Sequence, residues 1–270
     1  MKKTILLVFA LGMTVLLRAA VVDTVVIHSK AMNKDFKCVV IRPSATGKKS
    51  WPVVYLLHGY SGNYSNWIKL VPRLAEYADE YQLMIVCPDG GYGSWYFDSP
   101  IDPGMKYETY ISEEVPAFID AKYPTIKSRK GRAITGLSMG GHGGLYIGFR
   151  RSVDFGACGS MSGGVDIRPF SKNWEISKRI GDSTRYPDNW KTYSVSTVIE
   201  KKPEKPIAII FDCGTEDFFY KVNRELHEKM LRLNIPHEYI ERPGKHDWAY
   251  WANAVQYQLL FFSNYFNKKT

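Results

Sequence analysis

The sequence predicts an α/β fold with a mostly parallel central sheet and helices on both of its faces. Short apolar runs at 53–57, 83–87 and 133–137 indicate buried strands, and amphipathic stretches at 67–81 and 106–122 indicate helices between them. Runs of Val, Ile and Leu that alternate with helices are typical of a parallel sheet covered on both sides. With 270 residues, of which 45% are apolar, the chain is long enough to bury such a core.

The remaining elements extend this alternation in both directions along the chain. We expect, in chain order, strands at 25–28 and 36–42, a helix at 141–150, strands at 156–161 and 207–211, a helix at 218–233, a strand at 237–240 and a helix at 248–262. The stretch 163–206 is rich in Trp, Tyr, Pro and Lys and poor in strand signal. It follows the sixth expected strand, where an insertion can form a cap over a ligand site. No linker or repeat divides residues 21–270, so we expect one domain.

The first twenty residues have the layout of a secretory signal peptide. Two lysines precede an apolar run at 5–17, and Ala19 and Ala20 follow it. The run is shorter than the roughly 20 apolar residues that cross a bilayer. We therefore expect residues 1–20 to be cleaved and the mature protein to be secreted or periplasmic in a bacterium, without stable membrane insertion.

The charged residues and cysteines indicate neither a nucleic-acid groove nor a metal site. The net charge is +9, but the only dense basic cluster is 127–130, which we interpret as solvated surface. No Cys-x-x-Cys motif or histidine cluster with metal-ligand spacing occurs, so we expect no cofactor and no metal. The chain has four cysteines: Cys38, Cys87, Cys158 and Cys213. We expect them to be free thiols, because the last three lie in or beside short apolar runs.

A strand-to-helix turn carries the strongest catalytic motif, Gly136-Leu137-Ser138-Met139-Gly140. Small residues two positions to either side of the serine allow a tight turn that presents the hydroxyl at the carboxyl edge of the sheet. Ser61 and Ser162 also lie among glycines, but neither has glycine on both sides at that spacing. The motif predicts Ser138 as a nucleophile; the alternative is a glycine-rich turn without chemistry.

A serine nucleophile needs a histidine base and a carboxylate, in the chain order serine, acid, histidine. His246 lies in the loop between the last strand and the last helix, which suits the base. Three carboxylates follow the penultimate strand: Asp212, Glu216 and Asp217. Asp217 is preferred because Gly214 frees the loop to turn and a helix begins directly after the residue. Asp212 and Glu216 remain open as alternative acids.

The same chemistry requires two backbone N–H groups that bind a developing oxyanion. Met139, directly after the nucleophile, is one expected donor. The loop at 58–62 follows the third strand, so the N–H group of Tyr60 is the other. A simple turn is the alternative interpretation of this loop.

Aromatic residues near these loops are candidates for a substrate-binding platform. With the Tyr60 ring, four of them are expected to contact substrate: Trp67, Trp95, Tyr96 and Trp248. Rings of the insertion are further open candidates: Trp174, Tyr186, Trp190 and Tyr193. For each ring, ordinary packing in the core or a loop is the alternative.

As an ordered set, five segments resemble the esterase D family of α/β-hydrolases: 56–59, 93–96, 136–141, 212–217 and 244–248. That family includes feruloyl and tributyrin esterases, S-formylglutathione hydrolases and mycolyltransferases. The resemblance spans about 53–266 and implies the α/β-hydrolase fold, with a triad and oxyanion donors at the positions deduced above. It is strongest to secreted bacterial feruloyl or acetyl esterases of plant polysaccharides. It differs from the formylglutathione branch, which often has Ser-Gly at the position of His58-Gly59.

These observations together predict a serine carboxylesterase that works through an acyl-enzyme. Its expected partner is a small acyl ester or an acylated oligosaccharide, such as a feruloyl or acetyl ester. Alternatives are a short-chain, tributyrin-type esterase and an acyltransferase that passes the acyl group to an alcohol. A non-catalytic binding protein of the same fold is a further alternative, which reaction with a fluorophosphonate would exclude.

Overall fold

The computed structural model describes residues 19–44 and 49–268, so most of the expected signal peptide lies outside the described residues. Eight strands form one sheet in the order β1-β2-β4-β3-β5-β6-β7-β8. They are β1 Val21–Ser29, β2 Lys34–Arg42, β3 Val53–Leu57, β4 Met84–Pro88, β5 Arg132–Gly136, β6 Ala157–Met161, β7 Ala208–Gly214 and β8 Glu238–Arg242. The pairs β1–β2 and β2–β4 are antiparallel and every later pair is parallel. The predicted mostly parallel sheet of the α/β-hydrolase fold is confirmed.

The register of the parallel strands gathers their carboxyl ends at one edge. Leu57, the last residue of β3, lies opposite Gly136, the last residue of β5. At the other side, Gly214 of β7 lies opposite Arg242 of β8. The segments that follow these four strands therefore emerge at the same edge of the sheet. They contain Tyr60, Ser138, Asp217 and His246, one after each strand.

Ten α-helices connect and flank the strands in the described ranges: α1 Asn66–Leu70, α2 Leu74–Tyr81, α3 Tyr107–Thr109, α4 Val115–Lys122, α5 Met139–Arg150, α6 Ser177–Ile180, α7 Pro187–Thr192, α8 Val195–Val198, α9 Tyr220–Arg232 and α10 Trp248–Asn267. The single helix predicted at 67–81 is wrong: α1 ends before Pro72, whose missing N–H and fixed φ interrupt a helix. The helix predicted at 106–122 is present, with a π-helical turn, Tyr110–Glu114, between α3 and α4.

Each face of the sheet has its own apolar core. Residues of α4, α5 and α9, such as Ile119, Ile147 and Leu226, pack on one face. Residues of α2 and α10, such as Leu74 and Leu259, pack on the other. The four cysteines are buried free thiols in these cores. None of the helices that the structure describes has the length and apolar character needed to cross a bilayer.

The insertion 163–206 consists of short helices and turns that dock on the loop after β4. Trp95 Nε1 donates to the Trp174 carbonyl at 3.2 Å, and the Tyr193 hydroxyl donates to the Asp98 carbonyl at 2.9 Å. The Arg179 guanidinium adds a hydrogen bond to the carbonyl of Gly93 at 2.8 Å. These contacts hold Trp174 over the carboxyl edge of the sheet.

Candidate active site

Ser138 occupies a strained turn between β5 and α5. Its φ of 55° and ψ of −117° lie outside the regions that residues with a side chain usually adopt. A methyl group on Gly136 would lie 2.6 Å from the Leu57 carbonyl oxygen, and one on Gly140 would lie 2.6 Å from the carbonyl oxygen of His58. Only glycine fits at either position, so the two glycines are what allow the turn to form.

The structure brings Ser138, His246 and Asp217 into one hydrogen-bonded chain. His246 Nε2 lies 2.9 Å from Ser138 Oγ, and His246 Nδ1 lies 2.8 Å from Asp217 Oδ2. The other carboxylate oxygen of Asp217 accepts the Phe219 N–H at 2.8 Å. Because an ionised carboxylate only accepts, Nδ1 carries the ring proton and Nε2 is free to take the proton of Ser138.

The two alternative acids lie elsewhere. Asp212 is fully buried and accepts hydrogen bonds from the Tyr250 hydroxyl and the Gln258 amide, both at 2.9 Å. Its burial raises its pKa to about 6. Glu216 points to solvent, 3.9 Å from the Lys245 ammonium. Of the three carboxylates, the structure therefore places Asp217 against the histidine.

The loops that carry the acid and the base are bonded to each other. Glu216 N–H donates to the Gly244 carbonyl and Thr215 N–H to the Arg242 carbonyl, each at 2.9 Å. A methyl group on Gly214 would lie 2.3 Å from the Gly244 carbonyl oxygen, so the two loops touch through their backbones. The distance from His246 to its carboxylate is thus set by direct contact between the loops.

The N–H groups of Tyr60 and Met139, the two expected oxyanion donors, lie in the loop after β3 and at the start of α5. In the oxyanion loop, residues 58–62, Ser61 N–H is taken by the Tyr92 carbonyl at 2.7 Å and Gly62 N–H by the Gly59 carbonyl at 3.1 Å. Within the described ranges, no backbone acceptor takes the N–H of Tyr60, the residue before them. Met139 is the first residue of α5, where helix N–H groups have no partner in the preceding turn.

A cavity of about 420 Å³ opens at Ser138. The oxyanion loop forms part of its wall, and the other lining residues are Asn66, Leu137, Ser138, Trp174, Phe218, His246, Trp248 and Trp251. A second cavity, of about 430 Å³, lies away from this chemistry, beside the end of α9. The predicted pocket residues Tyr60 and Trp248 line the catalytic cavity, as does Trp174 of the insertion.

The structure corrects the platform expected from Trp67, Trp95 and Tyr96. All three side chains are fully buried and none lines the cavity. Instead, the three residues contact the end of β3, the oxyanion loop and the Met139 side chain. Trp67 Nε1 donates to the Leu57 carbonyl at 3.0 Å, the Tyr96 hydroxyl donates to the His58 carbonyl at 2.9 Å, and the Trp95 N–H lies 3.3 Å from Met139 Sδ.

Three lining residues were missed by the sequence reasoning: Asn66, Phe218 and Trp251. Phe218 follows the acid directly, and its ring centroid lies 4.2 Å from that of His246. Trp251 lies one helical turn after Trp248 on α10, so helical spacing was a usable signal for it. Nothing in the sequence indicated that Asn66 lines the cavity, because its position depends on where α1 begins.

Fold and site together define a serine hydrolase with the α/β-hydrolase architecture. The chain matches the model of the Esterase family over residues 29–262, and it belongs to that family. It is 26% identical to an acetyl esterase of Caldicellulosiruptor saccharolyticus over 255 residues, covering 85% of this chain and 95% of the relative. The resemblance inferred from the motifs is confirmed.

Solved structures agree with this assignment. A ferulic acid esterase superposes with a TM-score of 0.79 at 30% identity, covering 93% of this chain and all of that one. FphF, a fluorophosphonate-binding serine hydrolase of Staphylococcus aureus, superposes with the same TM-score at 23% identity, covering 91% and 99% of the two chains, and shares the fold. The protein is a carboxylic ester hydrolase of the serine type.

Proposed function

We propose that this esterase cleaves feruloyl or acetyl esters of plant polysaccharides through an acyl-enzyme on Ser138. The aromatic wall of the catalytic cavity supports this proposal. Trp174 and Phe218 stack with centroids 5.5 Å apart and planes 21° apart, and Phe218 is half exposed. A flat, partly open ring pair suits the ring of a phenolic acyl group. The likeness to an acetyl esterase and to a ferulic acid esterase supports the same substrate class.

The geometry supports a two-step reaction. His246 Nε2 takes the proton of Ser138 Oγ as the oxygen attacks the ester carbonyl, and the N–H groups of Tyr60 and Met139 bind the oxyanion. The imidazolium, stabilised by Asp217, returns the proton to the leaving alcohol. Water, deprotonated by the same histidine, then releases the acid and restores the serine.

The substrate class is tested by comparing kcat/KM for methyl ferulate, acetylated xylan and tributyrin, with p-nitrophenyl acetate as a reference. We expect the ferulate or acetyl-xylan ester to be the best substrate. A preference for tributyrin would contradict the proposal. Acyl transfer to a sugar acceptor faster than hydrolysis would instead show an acyltransferase.

Trp174→Ala tests the aromatic wall itself. If the ring contacts a feruloyl group, the variant should lower kcat/KM for methyl ferulate about tenfold and leave p-nitrophenyl acetate nearly unchanged, because a small acyl group does not reach the wall. Tyr186→Ala, which removes a partly exposed ring of the same insertion outside the cavity, is the matched control. Equal losses for both substrates would contradict an acyl-binding role of Trp174.

We also propose that the protein acts after export. The support is the layout of residues 1–20, with a basic start, an apolar run and small residues at 19 and 20. Amino-terminal sequencing of the protein from a periplasmic or culture fraction should begin near residue 20. An intact Met1 in the active protein would contradict export by this route.

A further inference from the structure

His58 is a buried histidine in the oxyanion loop that the reaction steps above do not use. Its side chain is 1% exposed and contacts the peptide group between Gly59 and Tyr60. Both ring nitrogens have backbone partners. Gly90 N–H donates to Nε2 at 2.7 Å, and Nδ1 lies 2.8 Å from the Gly59 carbonyl oxygen.

These two partners determine where the ring proton resides. A backbone N–H only donates, so Nε2 must offer a lone pair to Gly90. The proton of the neutral ring is therefore on Nδ1, which donates it to the Gly59 carbonyl. His58 is held as one neutral tautomer by backbone groups on both sides.

The Gly59 carbonyl and the Tyr60 N–H belong to one peptide group. Resonance couples the two ends, so hydrogen bonds accepted by the oxygen draw charge from the nitrogen and make its N–H a stronger donor. The Gly59 oxygen accepts two such bonds, from His58 Nδ1 at 2.8 Å and from Gly62 N–H at 3.1 Å. Both bonds also fix the plane of the peptide, and with it the direction of the Tyr60 N–H.

We propose that His58 is a positioning residue that orients and polarises the Gly59–Tyr60 peptide for oxyanion binding. The inference rests on the proposed function, since it needs Tyr60 N–H to act as an oxyanion donor. Because the oxyanion exists only in the transition state, the contribution of His58 belongs in kcat and not in KM.

The surroundings of His58 keep the ring neutral. Burial lowers the pKa of His58. The charged group that faces it is Asp89, whose Oδ1 lies 3.9 Å from Nε2 and already accepts the Gly91 N–H at 2.8 Å. The Tyr96 ring lies at 6.1 Å, and its hydroxyl donates to the backbone carbonyl of His58 and not to the imidazole. A proton on Nε2 would collide with the Gly90 N–H.

Two substitutions at His58 distinguish the hydrogen bond of Nδ1 to Gly59 from that of Nε2 to Gly90. His58→Asn keeps an amide N–H near the position of Nδ1, whereas His58→Gln reaches the position of Nε2 and loses the donor to Gly59. With p-nitrophenyl acetate we expect His58→Gln to lower kcat about ten- to a hundredfold at unchanged KM, since loss of a whole oxyanion donor costs about 10² to 10³. His58→Asn should retain most of kcat. The inhibition constant of a boronic acid, which forms a tetrahedral adduct, should weaken in step with kcat.

His142→Gln is the matched control. His142 is also fully buried, its Nδ1 lies 3.0 Å from the Gly164 carbonyl oxygen, and neither residue lines the catalytic cavity. The His142→Gln variant should have a lower melting temperature but a kcat for p-nitrophenyl acetate close to that of the wild type. Equal kcat losses in His58→Gln, His58→Asn and His142→Gln, or a rise in KM alone, would overturn the inference.

The wild-type protein provides a measurement that does not depend on how the variants fold. The ¹⁵N shifts of the His58 imidazole should show the neutral Nδ1–H tautomer throughout pH 5–8. An Nε2–H or doubly protonated ring would overturn the inference. If Ser138→Ala remains active, the proposed function itself fails; if it is inactive and His58→Gln is unaffected, only the role of His58 fails.

Discussion

At the scale of single residues, two carboxylates that are five positions apart in the sequence, Asp212 and Asp217, differ in their surroundings. Asp217 accepts the Phe219 N–H and faces His246, which suits an ionised partner of an imidazolium. Asp212 lies in the core with its pKa raised to about 6, and Arg242, 3.3 Å away, only partly offsets the cost of burial. The two residues therefore have different partners: Asp217 contacts His246, and Asp212 bonds β7 to α10.

The buried carboxyl should make stability depend on pH. The pKa of Asp212 is raised from 3.8 to about 6 in the folded protein, so its contribution to stability is present below about pH 4 and is lost as the pH rises through 6. Relative to Asp212→Asn, the wild type should lose up to about 3 kcal/mol of unfolding free energy over this range. Urea denaturation of both proteins at pH 4.5 and 7.5 should show about 2 kcal/mol of this loss, since part of it already occurs below pH 4.5. Parallel pH dependences would contradict a raised pKa.

At the same scale, the sequence identified residues whose roles depend on neighbours along the chain. Ser138 has its glycines at fixed spacing, and His246 follows the last strand, so both could be placed without coordinates. The direction of a ring could not be predicted in this way. Trp67 and Tyr96 were expected in the pocket but point into the core, because burial of a side chain is decided by elements distant in sequence.

At the scale of elements, the turn between β5 and α5 depends on close contact with the end of β3. Gly140→Ala would bring a methyl group within 2.6 Å of the Leu57 and His58 carbonyl oxygens, neither of which can move without shifting the oxyanion loop. We expect a loss of about 1–3 kcal/mol in stability and a larger proportional loss of kcat. Thermal melting and p-nitrophenyl acetate kinetics measure the two effects.

Gly104→Ala is the control for this substitution. Its methyl group would meet only the Asp102 carboxylate, at 3.3 Å, in an exposed loop. Melting temperature and kcat should stay close to the wild type. If Gly140→Ala behaves in the same way, the close contact that defines the turn is not required.

The bounds of the strands and helices show which elements the hydrophobic pattern of the sequence was sufficient to predict. The strand at 53–57 was predicted to the residue, because a continuous apolar run ends at His58. β7 extends to Gly214, beyond the predicted end at 211, because pairing with β8 continues past the apolar run. The helices of the insertion could not be predicted, because elements of four to six residues are too short to show a period.

At the scale of the whole molecule, the sheet brings together groups that are distant in the chain. Asp217 and His246 lie 79 and 108 residues after the nucleophile, yet both contact the site through loops at the ends of β7 and β8. The alternation of strands and helices predicted this meeting, since carboxyl ends of parallel strands share an edge. How the insertion closes over that edge followed only from its hydrogen bonds to Gly93, Trp95 and Asp98.

Covalent labelling tests most directly whether Ser138 is the nucleophile of this esterase. Treatment with a fluorophosphonate followed by peptide mapping should find one adduct, on Ser138. Ser138→Ala should not be labelled and should hydrolyse p-nitrophenyl acetate slower by about four to six powers of ten. An adduct on Ser61 or Ser162, or turnover near the wild-type rate in Ser138→Ala, would contradict the account.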